Sequence, residues 1–369
     1  MNEHREVRVS SPTVAVTGAA GPIGTLVTQR LVARIGAGIG AVIAVDSVRG
    51  TAVGATWRVG PTDTERLTEH MTDLVRGADV GVFLAPAADL AATLTTPAAE
   101  RRERIVAGAQ AITAAAAAVG AGRLVAVTSA MVLGASAANP IPLPDDAPVL
   151  ALADVAVVGD LVEVEQVLSR VSQLHPRLAL TVLRPAALVG PDVDTVVSRH
   201  FEAPRLLVLR EGETVWQFCH IDDLAEAVAV AIAGDLDGPL TVGAPGVLTQ
   251  AAVEQLSGMR RLVLSESLAR GTAERLHRVG VLPAPASDLA YVVRPWAVSA
   301  QRLLDAGWSP TYDNTTCLGV LLEQVRGHHA VASRRLDRHD AARGAAGAAV
   351  ALMGMAAIVR RRRRRNGGP

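Results

Sequence analysis

Short apolar runs alternate with amphipathic stretches through the first half of the chain. Val14-Ala15-Val16 forms the first run, and beyond Gly18, Gly21 and Gly24 the positions Leu26, Val27, Leu31 and Ile35 recur at helical spacing. Ala41 to Val45 reads as a second strand ending at Asp46, and Thr56 to Val59 as a weaker third. A helix over about 64–76 presents Leu67, Met71, Leu74 and Val75 on one face, with Gly77 where a left-handed cap belongs. Val80 to Leu84 is a fourth strand, an Ala-rich helix fills about 97–119, and Leu124 to Val127 is a fifth strand. A helix near 152–174 aligns Leu161, Val164, Leu168, Val171 and Leu174, and Leu178 to Leu183 makes a sixth strand. Strands that read as continuous apolar runs and alternate with helices predict an α/β fold: a doubly wound parallel sheet covered on both faces.

Beyond 190 the elements become shorter and mixed. A helix over 222–234 begins at Asp222 and ends at Gly234, followed by a strand over 239–243, a helix over 249–256 and a strand over 261–264. The Pro-rich 283–295 stretch reads as a loop, and Ser299 to Ala306 as a last short helix closed by Gly307. The division this implies is a lead-in over 1–12, a doubly wound domain over 13–190, a smaller lobe over 191–325, and a linker and tail over 326–369.

Ligands on such a sheet bind beyond the carboxyl ends of the strands. Those ends are Thr17, Asp46, Leu84-Ala85-Pro86, Thr128-Ser129 and Arg184-Pro185. The glycines after the first strand have backbone reasons. One makes the strand-to-helix turn, one lets a pyrophosphate approach the main chain, and one lets the helix pack close. The amides at the start of that helix, around Pro22, Ile23 and Gly24, would then face the phosphates.

Composition narrows the chemistry. All 36 basic residues are arginines, so no step can use a lysine, and the only tyrosines are Tyr291 and Tyr312. Residues 341–369 hold seven arginines and no acid, leaving the first 340 with 29 Arg against 36 acids, a net of −7. An acidic body with few aromatics argues against a nucleic-acid partner. Cys219 and Cys317 have no metal-like spacing and read as two buried thiols, with no metal implied.

Thr-Gly-Ala-Ala-Gly-Pro-Ile-Gly at 17–24, Val-Asp at 45–46, Gly-Ala-Asp-Val-Gly-Val-Phe-Leu-Ala at 77–85 and Thr-Ser-Ala at 128–130 stand in order along the chain. Leu-Arg-Pro-Ala-Ala-Leu-Val-Gly-Pro at 183–191, Phe-Cys-His-Ile-Asp-Asp-Leu-Ala at 218–225 and Ala-Gly-Trp-Ser-Pro at 306–310 follow. Together they resemble the extended short-chain dehydrogenase/reductase family, its NAD-dependent epimerase/dehydratase group, over roughly 13–312. The resemblance implies a Rossmann-type domain holding a nicotinamide cofactor and a C-terminal lobe that often takes a nucleotide sugar. Asp46 at the end of the second strand implies NAD over NADP, because it would accept hydrogen bonds from ribose hydroxyls and repel a 2′-phosphate. Arg49 could soften that preference, and Asp63 matches the family's adenine-contacting acid while fitting helix capping equally well.

The departure is at the chemistry. The family carries a Tyr and a Lys one turn apart, with an acid often four residues later. Setting Glu165 as that acid places Val157 and Leu161 at the Tyr and Lys positions, so the usual proton donor and the cation that tunes it are missing. Ser129, the family's substrate-orienting Ser, is retained, but alone it is a poor acid. Asp160, Glu163 and Glu165 are read as a solvated face, Glu163 and Glu165 lying about 200° apart around the helix. His220, beside Asp222 and Asp223, is a weak alternative acid, its other reading a packed histidine. Arg294, before Pro295, could meet a substrate phosphate or make a surface ion pair. The expectation is an NAD-binding protein, catalytically atypical or inactive, acting as a dinucleotide-responsive regulator in the cytoplasm. An enzyme with a non-standard acid and a scaffold with an empty cleft stand as alternatives, and a homodimer is left open.

Gly344 to Val359 is a 16-residue uncharged run followed by six arginines. As a helix it would reach about 24 Å, short of the roughly 30 Å hydrocarbon core. A disordered end is the first reading, a tail held at anionic lipid the second, and a transmembrane anchor the third.

Overall fold

The computed structural model describes residues 11–61, 63–85, 90, 95–153, 156–212, 214–234, 236–278, 286–326, 330–331 and 334–335. Pro86, the lead-in before 11 and the Ala-rich and arginine tail lie outside the described residues. Among the described residues no helix is long and apolar enough to cross a membrane.

Thr13–Thr17 (β1) leads through Gly21 into Pro22–Val32 (α1), where proline's fixed φ and missing N–H suit the first helical turn. Ala41–Asp46 (β2) and Thr56–Val59 (β3) follow, then Thr64–Leu74 (α2), capped by the Asp63 carboxylate on the Arg66 amide at 2.9 Å. Val80–Leu84 (β4) is buried at every position, as expected of a strand covered on both faces. Ala98–Ala118 (α3), Arg123–Val127 (β5), Val157–Leu174 (α4) and Ala179–Pro185 (β6) complete the alternating part.

The remaining strands are Ala187–Val189 (β7), Leu206–Leu209 (β8), Val215–Trp216 (β9), Phe218–His220 (β10), Gly238–Val242 (β11), Leu248–Thr249 (β12) and Arg261–Leu264 (β13). Between them lie Val196–Glu202 (α5), Ile221–Ala233 (α6), Gln250–Ser257 (α7) and Glu266–Arg278 (α8). Ala290–Val293 (α9), Gln301–Asp305 (α10) and Asn314–Val325 (α11) end the described body.

The main sheet runs β11-β6-β5-β4-β1-β2-β3, every pair parallel. The order reverses between β1 and β4, the point at which sheets of this kind take ligands beyond the carboxyl ends of the strands. One departure from the sequence reading concerns β11. The strand expected in the small lobe pairs with β6 in the main sheet, and α6 packs beside α1. The chain therefore re-enters the first layer after the boundary drawn at 190.

Polar side chains without periodic signal tie the later segments to this sheet. Asp145 accepts from the Thr241 amide and hydroxyl at 2.7 and 2.8 Å, and from the Arg302 amide at 3.2 Å. Gln217 donates to the Ala244 and Val298 carbonyls at 2.9 and 2.8 Å and accepts from the Val298 amide at 2.7 Å. Both side chains are buried, and these bonds replace the water they lose. The smaller lobe carries the parallel pair β8 and β13 with α8 and α9. The 283–295 stretch, read as a loop, contains a 3-10 turn at Ala286–Leu289 followed directly by α9.

Candidate functional site

At the switch point the chain turns sharply from β1 into α1. Gly18 has φ +76°, a left-handed conformation, and donates its amide to the Val45 carbonyl at 3.1 Å. A Cβ on Gly24 would lie 1.9 Å from the Gly18 carbonyl oxygen, so only glycine lets the helix sit this close. Gly21 differs. A Cβ there would meet nothing nearer than the Gly18 carbonyl oxygen at 3.8 Å, and would project into the open side of the turn.

Gly21 is the N-cap of α1; no side chain caps this end and its first turn holds no acid. The unspent amides around Ile23 and Gly24 and the positive end of the helix dipole are therefore available to an anion. The Asp46 carboxylate reaches this turn and accepts from the Ala20 amide at 2.9 Å and the Ser47 amide at 2.7 Å, with lone pairs left for a ligand hydroxyl. An open cradle, uncapped amides and an acid at the end of β2 fit a dinucleotide.

Along the rest of the crevice the side chains are more committed. Leu84 and Ala85 are buried, and the Ala85 amide donates to Val127 at 3.1 Å. The Thr128 hydroxyl donates to Glu165 at 2.7 Å. Arg184 donates to Glu165 from Nε at 3.1 Å and Nη2 at 2.6 Å, and from Nη1 to the Ala147 carbonyl at 3.3 Å. The Thr128 and Arg184 side chains are thus held by Glu165, and Pro185 sits buried beside them. Asp63 faces solvent at the start of α2, where its capping bond accounts for it.

Glu165 and Asp160 overturn the solvated-face expectation. Glu165 is 8 % exposed in its bond to Arg184, and Asp160 is 2 % exposed between Arg101 Nε at 2.5 Å and Arg102 Nε at 2.9 Å. The cause is tertiary. Arginines from α3 and β6 neutralise these acids, so α4 can press a charged face into protein. Glu163 is half-buried.

Anchoring Glu165 sets the rotation of α4, which places Leu161 one turn and Val157 two turns earlier on the same face. Both line a cavity of about 40 Å³ together with Ser129. Met131, Leu188 and Trp296 close it. Ser129 Oγ accepts from the Met131 amide at 3.2 Å, and among the described residues its own proton has no acceptor. Met131 and Trp296 carry no motif that would have flagged them; they arrive from a 3-10 turn and from a segment over 160 residues further along the chain.

His220 lies elsewhere. It caps α6 through Nδ1, which accepts from the Asp222 amide at 3.2 Å, and its ring stacks on Tyr312 with centroids 3.7 Å apart. Burial lowers its pKa against the opposing pull of Asp222 and Asp223, which favours the neutral ring. It does not line the cavity at Ser129. Arg294 makes an ion pair with Glu266 at 2.5 Å and donates to the Glu211 carbonyl at 2.6 Å. It borders a separate cavity of about 410 Å³ with Arg270, Ser136 and Ser287. The two thiols, Cys219 and Cys317, are free and buried, and burial pushes Cys317 up to about 12.

Solved structures share this architecture. MoeE5 in complex with UDP-glucuronic acid and NAD superposes with a TM-score of 0.60 at 19% identity, covering 85% of this chain and 99% of that one. A UDP-glucose 4-epimerase of Thermotoga maritima, solved with UDP-glucose, gives 0.62 at 19% identity over 85% and 98%. DesIV of Streptomyces venezuelae, a dTDP-glucose 4,6-dehydratase solved as a double mutant with NAD, gives 0.61 at 18% identity over 85% and 97%. At these identities the likeness is one of fold. Uncharacterized proteins of Mycobacterium tuberculosis and Mycobacterium bovis are 26% identical over 239 residues, which is 64% of this chain. The chain matches 63% of the length of these curated relatives. The profile of the NAD dependent epimerase/dehydratase family matches residues 14–239, well over half of the chain, from the first strand through the turn at Gly18 to the last strand of the sheet. By that match this protein belongs to the NAD dependent epimerase/dehydratase family.

Proposed function

We propose that this chain binds NAD in the crook after β1 and answers to the dinucleotide as a binding or regulatory protein, without the family's hydride-transfer chemistry. The observation that carries the reading is the placing of Val157 and Leu161 against Ser129 in one cavity, in a chain with no lysine. Hydride transfer to or from a carbon bearing oxygen needs a group that takes or gives the hydroxyl proton in step. A methyl-lined wall offers none, and the Ser129 hydroxyl is far too weak an acid to do it alone. Asp46 supports NAD over NADP, since a 2′-phosphate would meet its charge.

The NAD held by solved structures of the same fold supports the choice of dinucleotide. The nucleotide sugars held by such structures favour a second reading, an active enzyme on a nucleotide sugar with a non-standard acid. The cavity bordered by Arg270 and Arg294 is its best support, since a diphosphate there could take these guanidiniums over from Glu274 and Glu266. One experiment separates the two. Calorimetry with NAD on the full chain is expected to show binding, and incubation with NAD and UDP-glucose is expected to leave both NADH absorbance and the sugar unchanged. Turnover would overturn the regulatory reading, and absence of binding by either dinucleotide would overturn both.

A further inference from the structure

Strand β13 of the smaller lobe has an edge with nothing laid against it. Among the described residues it pairs with β8 alone, Leu206 opposite Arg261 and Val208 opposite Val263. The Leu206 amide donates to the Arg260 carbonyl at 3.0 Å, and the Arg210 amide to the Leu264 carbonyl at 2.8 Å. Alternate residues of a parallel ladder turn to the neighbouring strand, so Arg260, Leu262 and Leu264 spend their main-chain groups on β8. The N–H and C=O groups of Arg261 and Val263 point the other way, and among the described residues nothing meets them.

Proteins usually blunt such an edge with a lysine, a proline, a bulge or a covering segment. This chain has no lysine, and no proline lies between Met259 and Ser267. Nothing covers the strand either, since Arg261, Leu262 and Val263 are all exposed. Leu256 near the end of α7 and Leu268 in the first turn of α8 flank it in the chain and are each about half exposed. The segment also carries its own complement in charge. Its entry is basic, with Arg260 and Arg261, and its exit is acidic, with Glu266. Arg260 is exposed and, among the described residues, makes no ion pair, while Arg261 reaches Glu254 only at 3.9 Å. Glu266 is 57 % exposed and gives one oxygen to Arg294. Two copies laid side by side in parallel would set arginine against arginine. Antiparallel copies set the basic end of each against the acidic end of the other.

We infer that a second copy of this chain pairs antiparallel along β13 about a two-fold axis. Hydrogen-bond parity selects the register. With Arg261 opposite the partner's Val263, every free N–H and C=O of both edges finds a partner. Leu262 then faces its own copy across the axis, and Arg260 comes within reach of the partner's Glu266. A register shifted to centre on Val263 would need Ser265, whose carbonyl already accepts from the Ala269 amide at 2.9 Å. A self-complementary patch of this kind closes as a dimer. One short strand with its flanking leucines is small beside the roughly 1,200–2,000 Å² of a stable interface, so the dimer is a weak one that forms at high protein concentration. It does not depend on the dinucleotide.

Sedimentation velocity on the full chain, from micromolar to near-millimolar protein, is expected to show a monomer passing to a dimer. Val263→Pro removes an N–H that faces away from β8, so every bond to β8 survives and the fold is kept. It is expected to raise the dissociation constant by about tenfold or more, because each copy loses a donor to the other. Arg260→Glu is expected to raise it several-fold by setting like charges together. A cross-link reads the register directly and needs no change in stability. Leu262→Cys sits on the axis in a non-hydrogen-bonded pair, with Cα atoms about 4.5 Å apart, and is expected to give a disulfide-linked dimer under mild oxidation by oxidised glutathione. Val263→Cys lies off the axis, too far from its copy to bridge, and is expected to stay unlinked. The native Cys219 and Cys317 are buried and do not compete. A chain that stays monomeric near millimolar concentration overturns the inference and leaves the edge to some other partner. A dimer that ignores Val263→Pro, or that cross-links through Val263→Cys in place of Leu262→Cys, overturns it as well.

Discussion

Two places served by the same parallel sheet have opposite surfaces. The crook at Gly18 to Gly24 exposes main-chain donors, leaves a helix end uncapped and brings an acid to its rim. The wall at Val157 and Leu161 presents methyl groups, with the Ser129 hydroxyl beside them. The first arrangement is costly to maintain in a protein with nothing to bind, because uncapped amides at a helix end stabilise less than capped ones. The second costs nothing and stabilises the core. The contrast teaches that the residues fit to hold a dinucleotide and those that would act on it lie on different elements of one sheet edge.

The largest expected effect breaks the crook itself. Gly24→Ala sets a methyl 1.9 Å from the Gly18 carbonyl oxygen, against backbone that no rotamer change can move. We expect upwards of about 4 kcal/mol lost in urea unfolding, the range reserved for such failures. Gly21→Ala is the sharper half of the pair. Its φ of −69° suits alanine and its Cβ has room, so the fold should keep its stability while NAD affinity falls by about tenfold or more, roughly 1.4 kcal/mol. An unchanged NAD affinity in Gly21→Ala would remove the claim that a ligand uses the open side of this turn.

Next comes the support of the apolar wall. Glu165 fixes the rotation of α4 by meeting Arg184, both about nine-tenths buried. Glu165→Ala would leave a guanidinium buried without its partner, a loss of about 3 kcal/mol or more. Replacing both, Glu165→Leu with Arg184→Met, should recover most of it in thermal unfolding, because the pair's attraction largely offsets its own desolvation. A double variant as unstable as the single one would show that α4 is held by something other than this charge pair.

The course of the chain explains which of these features could be read in advance. Strands β1, β2, β4 and β5 and the turn at Gly18 were legible because each is local, an apolar run or a glycine whose backbone demand does not depend on distant residues. Asp160 and Glu165 were not. A charged helix face is normally solvated, and here the arginines that bury it come from 59 and 19 residues away. The return of β11 to the sheet was equally hidden, since five residues of strand carry no mark of which neighbour they join. That the chain has no lysine was legible outright, but that Met131 and Trp296 close the space at Val157 and Leu161 was not.

A smaller effect bears on cofactor choice within the crook. Asp46→Ala removes the acceptor of the Ala20 amide along with the charge at the rim. Hydrogen bonds to a charged group are worth about 1.5–3 kcal/mol, so NAD affinity should fall by at least about tenfold. NADP should lose little or gain, and the ratio of the two affinities in calorimetric titration is the test. An unchanged ratio would move the determinant to Arg49.

The smallest effect asks whether His220 belongs to the chemistry or to the scaffold. Its ring is neutral as a cap, since Nδ1 must keep a lone pair for the Asp222 amide. The groups facing it are Asp222 and Asp223 on α6 and Tyr312, whose hydroxyl reaches Asp222 at 3.3 Å. Burial lowers its folded pKa below the ordinary 6.5, the two acids only partly opposing this. The unfolded chain therefore takes up the proton first as pH falls. The stability tied to the neutral ring is complete above pH 6.5 and shrinks as pH drops through and below that value. Asparagine caps helices well, so His220→Asn should keep the fold near neutrality and flatten this slope by up to about 1 kcal/mol between neutral and mildly acidic conditions. His200, buried and lowered to about 4, titrates in the same direction and is present in both proteins, so the difference between their unfolding curves isolates His220. A scaffold role predicts that difference in stability with NAD affinity untouched. A change in NAD affinity that tracks the same titration would instead place His220 at the ligand.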